Sequence, residues 1–221
     1  MLRAKLTIAG SNFIFNHINE NYNEYLSKEK KLRVIFRGIN IDYYNLKNIS
    51  ILKQEKLKKD WNLSSNKFTI LLPGRLTYWK GQEKFIESLN ILIEDYNVNN
   101  FQAIILGSDQ GRKVYSKKLI NLVERYNLNK KIKFIEHCKE MPLAYSLSDV
   151  VVSTSIEPEA FGRISVEAQS MGKPIIASNI GGSKETVINK KTGLLYKYDD
   201  PRELAKCLNA VIQLSPDELK S

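Results

Sequence analysis

The stretch from Ser155 to Gly182, SIEPEAFGRISVEAQSMGKPIIASNIGG, decides how this chain folds. It follows Val150 to Thr154, a short apolar run rich in β-branched residues that predicts a buried strand. Pro158 holds Glu157 extended, so the chain leaves that strand as a loop. Gly162 lets the backbone approach a ligand closely. A helix is predicted from about Arg163 to Met171, stopped by Gly172. Pro174 to Ala177 is the next strand, and Gly181–Gly182 a turn.

Two carboxylates in this stretch lie eight positions apart, Glu159 in the loop and Glu167 in the helix. The free N–H groups of a helix start suit phosphate or sugar oxygens. An ionised carboxylate suits paired hydroxyls, because it accepts two hydrogen bonds. An isolated pair of glutamates is ordinarily solvated surface, so its setting decides its meaning.

Outward from here the alternation is regular. Strands are predicted at Phe68–Leu72, Phe101–Leu106, Ile132–Ile135, Val150–Ser153, Pro174–Ala177 and Gly193–Tyr196. Helices between them fall at Gly81–Tyr96, Lys113–Tyr126, Pro142–Leu147, Arg163–Met171 and Ser183–Ile188. A last one is opened by Asp200-Pro201-Arg202-Glu203, with an N-cap Asp and a Glu three positions on. Strands alternating with helices of this length predict an α/β fold, a parallel sheet of about six strands covered on both faces, from about Asn66 to Leu214. Upstream, Lys5–Gly10 and Leu32–Phe36 are short strands around a helix from Asn12 to Leu26, and Ile49–Trp61 is a charged helix.

In such a sheet ligands bind at the carboxyl ends of the strands. Three loops there stand out: Pro73–Gly81, Gly107–Gly111 and the loop of Glu159. Arg75 and Lys80, on a glycine-flanked loop, can clamp a diphosphate.

Hydrophobic residues make up 43% and charged residues 26% of the 221 positions, ordinary for a globular protein. The net charge of +10 suits an anionic partner, but its lysines and arginines are scattered: Lys28–Arg33, Lys53–Lys59, Lys117–Lys118, Lys130–Lys133. Nothing gathers them into an arm for nucleic acid. Cys138 and Cys207 lack CxxC spacing and are expected to be reduced thiols in a cytosolic protein. No run is long and apolar enough for a membrane span, and the start shows no signal-peptide core.

Together these loops resemble the retaining glycosyltransferases of family 4, which have the two-Rossmann GT-B fold. Gly74-Arg75-Leu76 with Lys80-Gly81 matches the family's phosphate loop, and Glu159 with Glu167 its E-x7-E pair, enclosing Phe161-Gly162. Gly181-Gly182 followed by Glu185, then Thr192-Gly193-Leu194-Leu195, match its closing motifs. Arg37-Gly38-Ile39-Asn40 is similar to its hinge. The resemblance implies that Arg75 and Lys80, beside Gly74, bind the donor diphosphate. It implies that Glu167 holds the ribose hydroxyls, that Glu159 contacts the donor sugar as a catalytic residue, and that the N–H groups around Phe161 and Gly162 face sugar and phosphate. The nucleobase falls near His137 to Met141. No metal and no cofactor besides the nucleotide-sugar substrate are implied.

Relative to that family, residues 1–45 match only the last strand-helix-strand of an N-terminal acceptor domain and the hinge. Residues 46–221 match the nucleotide-sugar-binding domain, without the C-terminal helix that crosses back. The expectation is a remnant with exposed apolar side chains such as Ile14, Phe15 and Ile35, and a separate N-terminal domain as partner. Two readings follow: a bacterial enzyme moving a sugar to a lipid-linked or lipopolysaccharide-core acceptor at the cytoplasmic face of the inner membrane, or a non-catalytic donor-binding fragment or half of a split enzyme. An epimerase of the same fold lacks supporting acid–base residues. Under the division of roles above, Glu159→Gln is expected to leave free nucleoside diphosphate binding nearly unchanged.

Overall fold

The structure, a computed structural model, describes residues 6–22, 24 and 31–215. The predicted strand start at Lys5, the predicted helix end at Leu26, the basic positions 28–30 and everything after Ser215 lie outside these residues.

Two short strands, β1 (Thr7–Ala9) and β2 (Leu32–Val34), pair in parallel, with helix α1 (Asn12–Asn21) between them in sequence. A linker then leads through a single 3₁₀ turn, Leu46–Asn48, into α2 (Ile51–Asp60). The helix expected at Ile49–Trp61 is α2, and the turn before it was not foreseen. Asn45 caps the turn at the Lys47 N–H and Ser50 caps α2 at the Lys53 N–H, so each begins afresh.

The main sheet holds β3 (Phe68–Pro73), β4 (Phe101–Leu106), β5 (Ile132–Ile135), β6 (Val150–Ser153), β7 (Ile175–Ser178) and β8 (Leu194–Tyr196), every neighbouring pair parallel. Their order across the sheet is β5-β4-β3-β6-β7-β8. The chain starts at the centre, winds to one edge, returns and winds to the other. The winding reverses between β3 and β6, where loops leaving neighbouring strands diverge and open a crevice.

Near-continuous burial of β3 and β4 fits strands covered on both faces. Ile70, Leu72, Ala103 and Ile105 point to one side, packing with α3 (Gln82–Glu94), α4 (Lys113–Arg125) and α8 (Pro201–Ile212). Leu71, Ile104, Leu106 and Val151 point to the other, packing with α5 (Met141–Ser146) and α6 (Arg163–Ser170). The expected doubly covered parallel sheet is what forms.

Helix ends follow their caps. Gly172, at φ +62°, closes α6 with Gly172 N–H to Gln169 O and Lys173 N–H to Ala168 O, both 2.9 Å. Asp200 accepts from the Arg202 and Glu203 N–H groups at the start of α8. Glu203 does not complete the predicted box; its carboxylate accepts from the Lys197 N–H at 2.6 Å instead. Helix α7 is only one turn, Ser183–Thr186, shorter than the sequence suggests.

In the N-terminal unit Ile35 and Phe36 are 56% and 58% exposed. Ile14 and Phe15, expected to be exposed, are half-buried, because α1 packs on β1 and β2.

Candidate functional site

The loop after β3 carries Arg75 and Lys80. Tyr78–Lys80 makes one 3₁₀ turn, and Gly81, at φ +67°, redirects the chain into α3. A Cβ at Gly81 would sit 2.0 Å from the Thr154 carbonyl oxygen, so only glycine fits. That closeness stitches the loop to the end of β6: Thr154 Oγ1 donates to Lys80 O at 2.7 Å, and Ile156 N–H to Trp79 O at 2.9 Å. Behind it, buried Gln82 donates to Arg75 O at 2.8 Å and accepts from the Tyr115 hydroxyl at 3.2 Å.

Across the crevice, Lys80 Nζ lies 2.6 Å from Glu159 Oε1, with side chains only 12% and 13% exposed. Ser155 Oγ donates to the same carboxylate oxygen. The Trp79 ring has Lys80 Nζ 4.7 Å and Arg75 Cζ 5.6 Å from its centroid. Arg75 and Lys80 therefore gather around one indole at the reversal of strand order, with Glu159 beside Lys80 and the side of Arg75 open to solvent.

The Glu159 loop rests on the Gly181–Gly182 turn. Gly182 N–H donates to Glu159 O at 2.7 Å, and a Cβ at Gly182 would fall 2.5 Å from Phe161 Cα. Gly162, at φ +81°, is the N-cap of α6 and offers no side chain to its first N–H groups. A Cβ there would meet Thr186 Oγ1 at 3.1 Å and Ser183 at 3.3 Å. Gly162 thus lets the backbone come close to α7. Half-buried Phe161 precedes it.

Glu167 is 5% exposed. Arg163 donates to its Oε1 at 2.7 Å and the Tyr145 hydroxyl to its Oε2 at 2.8 Å. Burial, reinforced by this carboxylate, pushes the Tyr145 phenol well above the usual range and that of Tyr44 up to about 12. Tyr44, in the linker before α2, stacks edge-on against Tyr145 at 6.1 Å and is tied to α6 by Ser170 Oγ donating to its carbonyl at 2.7 Å. Two bonds leave a carboxylate with further lone-pair sites for ligand hydroxyls.

Neither glutamate is the surface residue that an isolated pair would be. Their protein partners differ: Glu159 is held by Lys80 and Ser155, Glu167 by Arg163 and Tyr145. Gly74 lies beneath the Lys80 stem, which passes 3.6 Å from where its Cβ would be. His137 is exposed in the loop after β5, and half-buried Met141 opens α5 against the second core cluster. The sequence reading passed over Ser155 and Arg163, although both lie four positions before their glutamates. Trp79 stood inside a quoted loop; nothing local marks Tyr145 or Tyr44.

Among solved structures, a glycosyltransferase from Rickettsia africae is 33% identical with a TM-score of 0.91, matching 99% of this chain and 56% of that one. HepE from Anabaena, crystallised with UDP and glucose, is 28% identical with a TM-score of 0.84, matching 98% and 56%. D-inositol 3-phosphate glycosyltransferase of Corynebacterium glutamicum is 25% identical over 184 residues, 82% of this chain and 43% of that protein. The chain spans about half the length of the curated relatives it matches. The model of the family described as Glycosyl transferases group 1 matches residues 53–220, most of the sequence, and the chain accordingly belongs to the group 1 glycosyltransferases, on a GT-B-like Rossmann domain.

Proposed function

We propose that this chain is the donor-binding part of a retaining, metal-independent glycosyltransferase of family 4. The observation that carries the reading is the Lys80–Glu159 contact at the strand-order reversal: a cation fit for a diphosphate and an acceptor fit for a sugar hydroxyl, side by side. That a similar protein, HepE, crystallises with UDP and glucose supports a nucleotide-sugar as ligand.

In this reading Arg75, Lys80 and the N–H groups at Phe161 and Gly162 take the diphosphate and stabilise its charge as the bond to the sugar breaks. Glu159 holds the sugar, and the acceptor oxygen joins the same face of the anomeric carbon. Glu167, fixed by Arg163 and Tyr145, accepts from the ribose hydroxyls. His137 and Met141 border the base. Residues 1–45 are the end of an acceptor domain with its hinge, and 46–221 the donor domain.

The acceptor is a cell-envelope glycolipid, with lipopolysaccharide core as the class suggested by the Gly74–Gln82 and Glu157–Arg163 loops. A net charge of +10 suits peripheral work at an anionic, cytoplasmic membrane face. Among the described residues no helix is long and apolar enough to cross a membrane.

The alternative reading is a non-catalytic donor-binding module or half of a split enzyme. Transfer of radiolabelled glucose from UDP-glucose to a lipopolysaccharide acceptor, with and without a supplied N-terminal domain, separates the two. Label transfer by either sample supports the enzyme. UDP binding without transfer in both supports the module.

A further inference from the structure

The N-terminal unit touches the candidate site through contacts that the donor chemistry does not use. Glu185, on the single turn α7, reaches the start of α1, 173 positions away in sequence. Its Oε2 accepts from Asn12 N–H at 2.8 Å and Asn12 Nδ2 at 3.1 Å, and its Oε1 from Phe13 N–H at 2.6 Å. Ser11, fully buried, accepts from Ile14 N–H at 3.2 Å and donates to Ala160 O at 2.5 Å. The first N–H groups of a helix have no intrahelical partner and carry its positive end, so a carboxylate there is favoured twice over.

Ala160 lies between Glu159 and Phe161, whose backbones rest on Gly181 and Gly182. The Glu159 loop is thus held on one side by the glycine turn and on the other by the first turn of α1. Glu185 stands three residues past Gly182 and donates its own N–H to Gly182 O at 3.0 Å. One short segment therefore grips both the loop and the helix.

We propose that Glu185 is a positioning residue that latches the N-terminal unit, through the first turn of α1, onto the loop carrying Glu159. Ser11 is the second half of the latch. Glu185 is exposed, so water can replace its bonds, and the latch can open and close with the unit that bears α1. In the closed form it fixes the height of Glu159 beside Lys80. This deepens the donor-site reading and rests on it for its functional meaning, while the latch is measurable without any ligand.

The test is amide hydrogen exchange of the full chain, wild type against Glu185→Ala, Glu185→Gln and Ser11→Ala, alone and with UDP as probe. In Glu185→Ala the Asn12 and Phe13 amides should exchange roughly tenfold faster, and residues 159–162 should speed up with them although Glu185 does not bond to that loop. Glu185→Gln keeps one accepting oxygen and should restore part of the protection. Ser11→Ala should loosen the same loop from the other side. Unchanged exchange at 159–162 in both alanine variants overturns the latch, as does unchanged exchange at Asn12 and Phe13 in Glu185→Ala. Failure of UDP to bind leaves these outcomes readable and counts against the donor site instead.

Discussion

At the scale of single residues, the Lys80–Glu159 contact revises what substitution of Glu159 should do. The sequence assigned Lys80 to the diphosphate and Glu159 to the sugar as separate duties. The structure joins them, so Glu159→Gln frees Lys80 and removes a negative charge beside an anion site. It should leave nucleoside diphosphate binding intact or tighten it by up to about tenfold while weakening the intact sugar nucleotide. Lys80→Ala should weaken the diphosphate by roughly 10- to 150-fold, the worth of a charge-assisted bond. Calorimetric titration with UDP and UDP-glucose measures both, and a weaker UDP complex in Glu159→Gln contradicts the assignment. Tyr44 gives a pH test. Its phenol is raised from 10.0 to about 12 in the folded chain, so its contribution to stability is whole below pH 10 and is lost as pH rises toward 12. The melting temperature of Tyr44→Phe should fall less steeply than that of the wild type across that window.

Among elements, the glycine turn and the last helix are the places to probe. Gly182→Ala puts a methyl 2.5 Å from Phe161 Cα, backbone against backbone, so the Glu159 loop must lift. UDP-glucose affinity should drop by more than tenfold with only a modest loss of melting temperature, because the sheet beneath is untouched. Asp200→Ala removes the cap of α8 and should cost about 1 kcal/mol in denaturant unfolding, without affecting UDP. The strands were legible because a doubly covered strand must be apolar nearly throughout: Phe101–Leu106, Ile132–Ile135 and Val150–Ser153 were bounded correctly from sequence. The loops could be placed because parallel strands deliver all their carboxyl ends to one edge. Side-chain partners were less accessible. Tyr145 finds Glu167 only because α5 and α6 pack on the same face of the sheet, and no spacing in the chain encodes that meeting. Glu185 looked like part of a terminal motif because its partners lie at the other end of the sequence.

For the molecule as a whole, the two-stranded unit sets behaviour in solution. Ile8, Ile35 and Phe36 are more than half exposed, and the two strands have no further neighbour among the described residues. Such a patch should bind a hydrophobic dye and drive association at high concentration. Light scattering that shows only monomers, with no dye bound, would contradict an adhesive apolar face. The whole chain holds two tryptophans, and they report on different things. Trp61 is buried in the core cluster on the α5–α6 side of the sheet. Trp79 stands between Arg75 and Lys80, with a cation over its ring from each. An arriving diphosphate that draws both cations onto its oxygens strips that ring of charge, so the emission spectrum of the unlabelled protein becomes an optical titration of its own cleft, with Trp61 as the constant background.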